Sequence, residues 1–213
     1  MKYILISAIA ITCISAVIVK SNNKTANAVK EIFVVKPKPS TPIYNYFAKA
    51  KSKAAAIKTY AAKNNYCGDY CFFVDMRIPS GSKRFFVYDL KTDSILHKGL
   101  VTHGGGSETN TAELKFCNVP SSGSTSLGKY KIGVEYSGQF GMAFKLHGLD
   151  TSNSKAFERF VVLHSHSCVP EEDISPIEIC TSLGCPTVNP EYLPILKTYI
   201  DKADKPVLLC IYY

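Results

Sequence analysis

Cys185 lies in the run Ser182-Leu183-Gly184-Cys185-Pro186, and an earlier apolar run, Val161-Val162-Leu163-His164, ends on an imidazole. A thiolate attacks carbonyl carbon. A neighbouring imidazole that takes the thiol proton and later returns it to a departing amine completes the minimum equipment for acyl transfer. Ser182 and Gly184 suit the same chemistry, because small residues ahead of the cysteine leave backbone N–H groups free to face a tetrahedral oxyanion.

The remaining histidines divide by context. His166, two residues beyond His164, shares a strand face with it, so it is either a polar neighbour of the base or the base itself. His147 stands in Leu146-His147-Gly148-Leu149 and His103 opens His103-Gly104-Gly105-Gly106-Ser107, whose glycines permit a tight turn. His97 reads as a surface residue of a hairpin. His164 and His166 with His147 or His103 would supply nitrogen ligands for a zinc-dependent peptidase. That reading lacks a carboxylate ligand and a general base beside them, so no metal is assigned. A serine hydrolase would need a Gly-x-Ser-x-Gly elbow, and the sequence has none.

The elements that must position these groups are mostly strands. Short β-branched and aromatic runs at 72–78, 85–89, 95–102, 130–136, 142–147, 160–166 and 207–212 are separated by turn residues. Lys91-Thr92-Asp93-Ser94 predicts a hairpin, and Pro190 opens a brief helix through Ile200. Ahead of them, Phe47, Ala50, Ala54, Ile57 and Ala61 form one apolar stripe on a lysine-rich helix that stops near Asn64-Asn65. The three prolines between Ile32 and Pro42 suit an extended tether. The expected fold is mainly β: a mostly antiparallel β sandwich with an N-terminal helix and one or two short peripheral helices.

These motifs, in this order, resemble a known family. Val101-Thr102-His103-Gly104, Phe116-Cys117-Asn118-Val119-Pro120, Thr125-Ser126-Leu127-Gly128-Lys129-Tyr130, Leu146-His147-Gly148-Leu149, His164 and Ser182-Leu183-Gly184-Cys185-Pro186 are similar to the catalytic domain of the peptidoglycan L,D-transpeptidases. The likeness is to the murein branch with Ser-x-Gly-Cys-Pro in place of Ser/Thr-His-Gly-Cys, and it covers the chain from about Phe85 onward. It implies an L,D-transpeptidase-like sandwich with Cys185 as nucleophile, His164 as base, Gly184 beside the oxyanion and the carbonyl of Ser165 orienting the imidazole. His147, Gly148, Ser182 and His166 would meet substrate. The implied reaction forms a thioester on the stem peptide, releases terminal D-alanine and cross-links a second stem; water as acceptor would make an L,D-carboxypeptidase. No cofactor is implied. Leu183 replaces the broad family's second histidine, and Pro186-Thr187 stand where an arginine is usual, so substrate grip is expected to differ.

The setting agrees with a wall enzyme. The apolar run from Tyr3 to Val19 reads as a secretory signal, with Ala26-Asn27-Ala28 as a cleavage site and an uncleaved N-terminal membrane anchor as the alternative. The division expected is a signal over 1–28, a tether and helix over 29–66, and a catalytic domain over 67–213, in the periplasm or cell envelope. The formal net charge of +8 favours an anionic envelope surface, and no basic–aromatic motif points to nucleic acid. Cys67, Cys71, Cys117, Cys168, Cys180 and Cys210 form an even set that allows up to three disulfides, among whose fifteen pairings sequence does not choose; a bond between Cys168 and Cys180 would restrain the loop between base and nucleophile. Buried free thiols are the alternative. A non-enzymatic wall-binding protein would keep the sandwich and charge but tolerate loss of Cys185.

Overall fold

A computed structural model describes residues 44–111 and 113–213. The signal and the tether lie outside the described residues. Helix α1 spans Tyr46–Asn64; the side chain of Asn45 accepts the Ala48 N–H at 3.0 Å, and Asn65, left-handed at φ 61°, closes its end. Ala50, Ala54, Ile57 and Ala61 are buried as the stripe requires, but Phe47 stays 41% exposed. Tyr46, one position earlier, stacks on Phe86 at 5.5 Å and takes its place. Among the described residues no helix is long and apolar enough to cross a membrane.

The strands are β1 (Tyr70–Asp75), β2 (Phe85–Asp89), β3 (Ser94–Gly99), β4 (Gly128–Gly138), β5 (Gly141–Gly148), β6 (Val162–Ser165), β7 (Thr187–Val188) and β8 (Leu208–Tyr212), with α2 over Tyr192–Lys202. They form one mixed sheet in the order β3-β2-β1-β8-β4-β5-β6-β7. Antiparallel pairing dominates, with parallel ladders at β1–β8 and β6–β7. The two walls of the expected sandwich are parts of this continuous sheet, which curls until its ends meet. Just past β3, Val101 bridges Val188 of β7, and the Thr102 N–H donates to the Thr187 carbonyl at 2.9 Å.

Alternation along β1, β2 and β8 feeds two cores. Phe72, Val74, Phe85, Val87, Leu209 and Ile211 point inward to meet Tyr130, Phe144, Leu146, Leu163 and the α2 residues Leu193 and Leu196. Cys71, Phe73, Phe86, Tyr88, Leu208 and Cys210 face α1. Strands covered on both sides read as unbroken apolar runs, as these do. Of the expected disulfides, Cys168–Cys180 forms; Cys67, Cys71, Cys117, Cys185 and Cys210 are free. In the β1–β8 register Cys71 faces Leu208 and Cys210 faces Phe73. That offset of two residues puts the two α-carbons roughly 8 Å apart, beyond the reach of a disulfide.

Alanine at the centre of α1 lets the helix lie close on the sheet. Ala54→Leu is expected to cost about 1–3 kcal/mol through overpacking; the denaturant midpoint should fall with the slope unchanged.

Candidate active site

Strands β6 and β7 run parallel, with His164 opposite Thr187 and Ser165 opposite Val188. Two residues back along each strand, Cys185 comes beside Val162, and the Val162 N–H points at Sγ from 3.5 Å. The thiol faces the Phe160 carbonyl at 3.8 Å. Candidate nucleophile and base therefore occupy neighbouring rungs of one parallel pair. Burial pushes the Cys185 thiol up, while the Val162 N–H and the charge of Arg159 pull it down less strongly.

His164 is 7% exposed, and Phe140, at the tip of the β4–β5 hairpin, stacks on its ring at 5.0 Å. Its Nδ1 lies 3.1 Å from the Ser165 carbonyl and its Nε2 3.0 Å from Thr187 Oγ1. A carbonyl only accepts, so Nδ1 carries the proton and Nε2 presents a lone pair to which the Thr187 hydroxyl donates. Burial lowers the imidazole pKa, against the Ser165 carbonyl, and His166 lowers it further. The pair rests as thiol and neutral imidazole. Among the described residues no hydrogen bond joins Cys185 to His164, whose Nε2 is taken by the Thr187 hydroxyl.

Gly184 holds the turn at φ +115°, where a Cβ would lie 2.7 Å from the Ser124 carbonyl. Its N–H is not free for an oxyanion, contrary to expectation, because it donates to Ser182 Oγ at 3.1 Å. The N–H of Cys185 itself makes no hydrogen bond among the described residues. Ser182 shapes the loop from within: its hydroxyl donates to the Cys185 carbonyl at 2.7 Å, and its N–H to the His103 carbonyl at 2.9 Å. Thr102 Oγ1 also donates to the Cys185 carbonyl, at 3.1 Å.

His103 backs this loop. Its Nδ1 accepts from the buried guanidinium of Arg84 at 3.0 Å, and burial followed by the Arg84 charge lowers its pKa. Gly148, half-buried, packs on Asn153 on one side, where a Cβ would fall 1.9 Å from the Asn153 carbonyl. His147, above Gly133, stacks on Phe157 at 5.1 Å. His166 Nδ1 accepts the Cys168 N–H at 3.1 Å, and its ring meets the edge of Phe140. No group of three or more His, Cys, Asp or Glu residues among those described could hold a metal ion. Tyr136, Lys145, Phe157, Phe160, Val161 and Val162 line a cleft of about 240 Å³, and two of them, Phe160 and Val162, meet the Cys185 sulfur through their backbones.

Sequence reasoning missed Thr187, Thr102 and Arg159. Arg159 donates to the carbonyls of Ser124 and Cys117 and to Ser126 Oγ, with its guanidinium against Gly184. An arginine five residues before His164 was the only local signal, and its partners are distant in the chain.

Two measurements probe this electrostatic arrangement. Alkylation of Cys185 by iodoacetamide should keep accelerating as pH rises past the ordinary thiol value of about 9, without a thiolate plateau near neutrality. Thr187→Val removes a donor that favours neutral imidazole, so the His164 pKa should rise in a ¹⁵N NMR titration.

The sequence matches the model of the L,D-transpeptidase catalytic domain over residues 43–212. No curated protein matches it. Among solved structures, it is similar to an L,D-transpeptidase from Xylanimonas cellulosilytica (11% identity, TM-score 0.36, covering 76% of this chain and 77% of that one). It is also similar to Bd1075 of Bdellovibrio bacteriovorus (17%, 0.40, 68% and 48%) and to the helical cell shape determining protein Pgp2 of Campylobacter jejuni (14%, 0.38, 68% and 49%). The chain spans about half the length of these last two. The family match takes in every described strand and both helices: this chain belongs to the L,D-transpeptidase catalytic-domain family.

Proposed function

We propose that this protein is an exported peptidoglycan L,D-transpeptidase that works through a thioester on Cys185. The observation that carries this reading is the β6–β7 register, which sets Cys185 against Val162 and Thr187 against His164. Sγ attacks the carbonyl of the third residue of a donor stem while His164 Nε2, released by Thr187, takes the thiol proton. The carbonyl oxygen becomes an oxyanion facing the Cys185 N–H. The tetrahedral adduct collapses as the C–N bond breaks, and the imidazolium gives its proton to the departing amine of D-alanine. An amine from a second stem then attacks the thioester, His164 accepts its proton, and the thiol leaves with that proton restored. Water in place of the amine would yield the carboxypeptidase.

The surroundings support this assignment. Ser165 fixes the imidazole tautomer through its carbonyl, Ser182 and Thr102 hold the peptide plane of the nucleophile, His147 stacks on the cleft residue Phe157, and His166 meets Phe140, the ring that stacks on His164. The excess of basic charge suits an anionic envelope.

Incubation with a tetrapeptide stem tests the proposal by intact mass and D-alanine release. The wild-type protein should gain an acyl adduct on Cys185. Cys185→Ala should lose both signals, and His164→Ala should slow release by about 10²–10⁴-fold. Undiminished release by Cys185→Ala would remove the thiol route.

A further inference from the structure

We infer that the cleft beside Cys185 is the subsite for the C-terminal residue of the donor stem, whose free carboxylate it takes on Lys145 Nζ. The inference rests on the reaction proposed above and adds the group that recognises its leaving residue. In the β5–β6 ladder Lys145 is paired with Val162, whose N–H touches the candidate nucleophile. Directly opposed residues of an antiparallel pair carry their side chains on the same face, about 4.5–5.5 Å apart at Cβ. The register therefore places this lysine one strand from the reacting sulfur, on the wall of the cleft that adjoins it.

Lys145 is held without being neutralised. Its Nζ lies 5.6 Å from the centroid of Tyr136 and 5.5 Å from that of Phe157, a pair of aromatic faces that fix an ammonium by its attraction to their π-systems. None of the ion pairs among the described residues includes it. The groups around it add no anion: Lys131 faces His147 across β4–β5, and burial together with both lysines lowers the His147 pKa. The other cation near the sulfur, Arg159, is occupied by two carbonyls and a hydroxyl. Lys145 is thus the cation that a substrate anion in this cleft would meet, among apolar walls where a charge pair is stronger than in open water.

The donor chemistry supplies that anion. Attack requires the scissile carbonyl about 3–3.5 Å from Sγ. The departing residue is terminal, so its carboxylate lies within about one residue length, ~3.8 Å between α-carbons, of the bond that breaks.

The test uses two donors that differ only at this group, a tetrapeptide ending in the free acid and the same peptide ending in the carboxamide. Release of alanine or alaninamide is followed for wild type, Lys145→Met and Lys145→Arg, and the acid-to-amide ratio of kcat/KM is compared within each protein. Wild type should favour the acid by about tenfold to hundredfold, the range of a hydrogen bond to a charged partner. Lys145→Met should bring the ratio to within about threefold of unity, and Lys145→Arg should retain most of the preference. A merely structural lysine would slow both donors together and leave the ratio of Lys145→Met at the wild-type value, which overturns the inference, as does a wild-type ratio near one. Wild type that releases product from neither donor overturns the transpeptidase reading itself and this inference with it.

Discussion

The site depends on the closure of the sheet at β7. Two residues, Thr187 and Val188, pair in parallel with β6 on one side and are bridged from the end of β3 on the other. Cys185 lies two positions ahead of this junction, so its place relative to His164 is set by a few backbone hydrogen bonds whose donors come from opposite ends of the sheet. The Thr102 N–H bonds the Thr187 carbonyl and the Thr187 N–H bonds Thr102 Oγ1, while that hydroxyl reaches the Cys185 carbonyl. One threonine therefore ties the ladder to the loop that carries the thiol.

Behind this junction the support is buried and polar. Arg84, 1% exposed, donates to the carbonyls of Val101 and Ile78 and to His103 Nδ1, with no carboxylate at ion-pair distance among the described residues. Burial depresses the guanidinium to about 10, and the more distant Glu178 and Asp75 oppose that shift. A buried cation satisfied by carbonyls is a rigid support, because moving it would expose donors to an apolar interior. Gly104, Gly123 and Gly184 then stack backbone on backbone, with a Cβ on Gly104 reaching 2.1 Å from the Gly123 carbonyl. The loop that carries Cys185 rests against the backbone of Gly104 and Ser124 and against the Arg159 guanidinium.

Burial governs the reactive groups in one direction. It favours the protonated thiol of Cys185 and the neutral imidazole of His164. The Thr187 hydroxyl occupies the Nε2 lone pair, and Phe140 stacks on the imidazole ring. Phe160 has φ 54°, a conformation uncommon for a bulky residue, which aims its carbonyl at the sulfur. That positive φ also explains why β6 starts at Val162, later than its apolar run suggests.

Much of this was legible in the chain because it is local. The spacing of Ala50, Ala54, Ile57 and Ala61 sets the buried face of α1, Asn65 ends it, and Asp93 turns the β2–β3 hairpin, each through residues a few positions apart. Cys185 and His164 were visible as chemistry, since thiol and imidazole are rare and their neighbours distinctive. Tertiary structure alone decided the rest: the joining of the walls into one sheet, the choice of Cys168 and Cys180 as a pair, the diversion of the Gly184 N–H to Ser182, and the placing of Thr187 on His164 and of Arg159 against Gly184. These follow from pairing between residues far apart in sequence, where a shift of one position would turn every side chain to the other face, and periodicity within a strand carries no information about the register between strands.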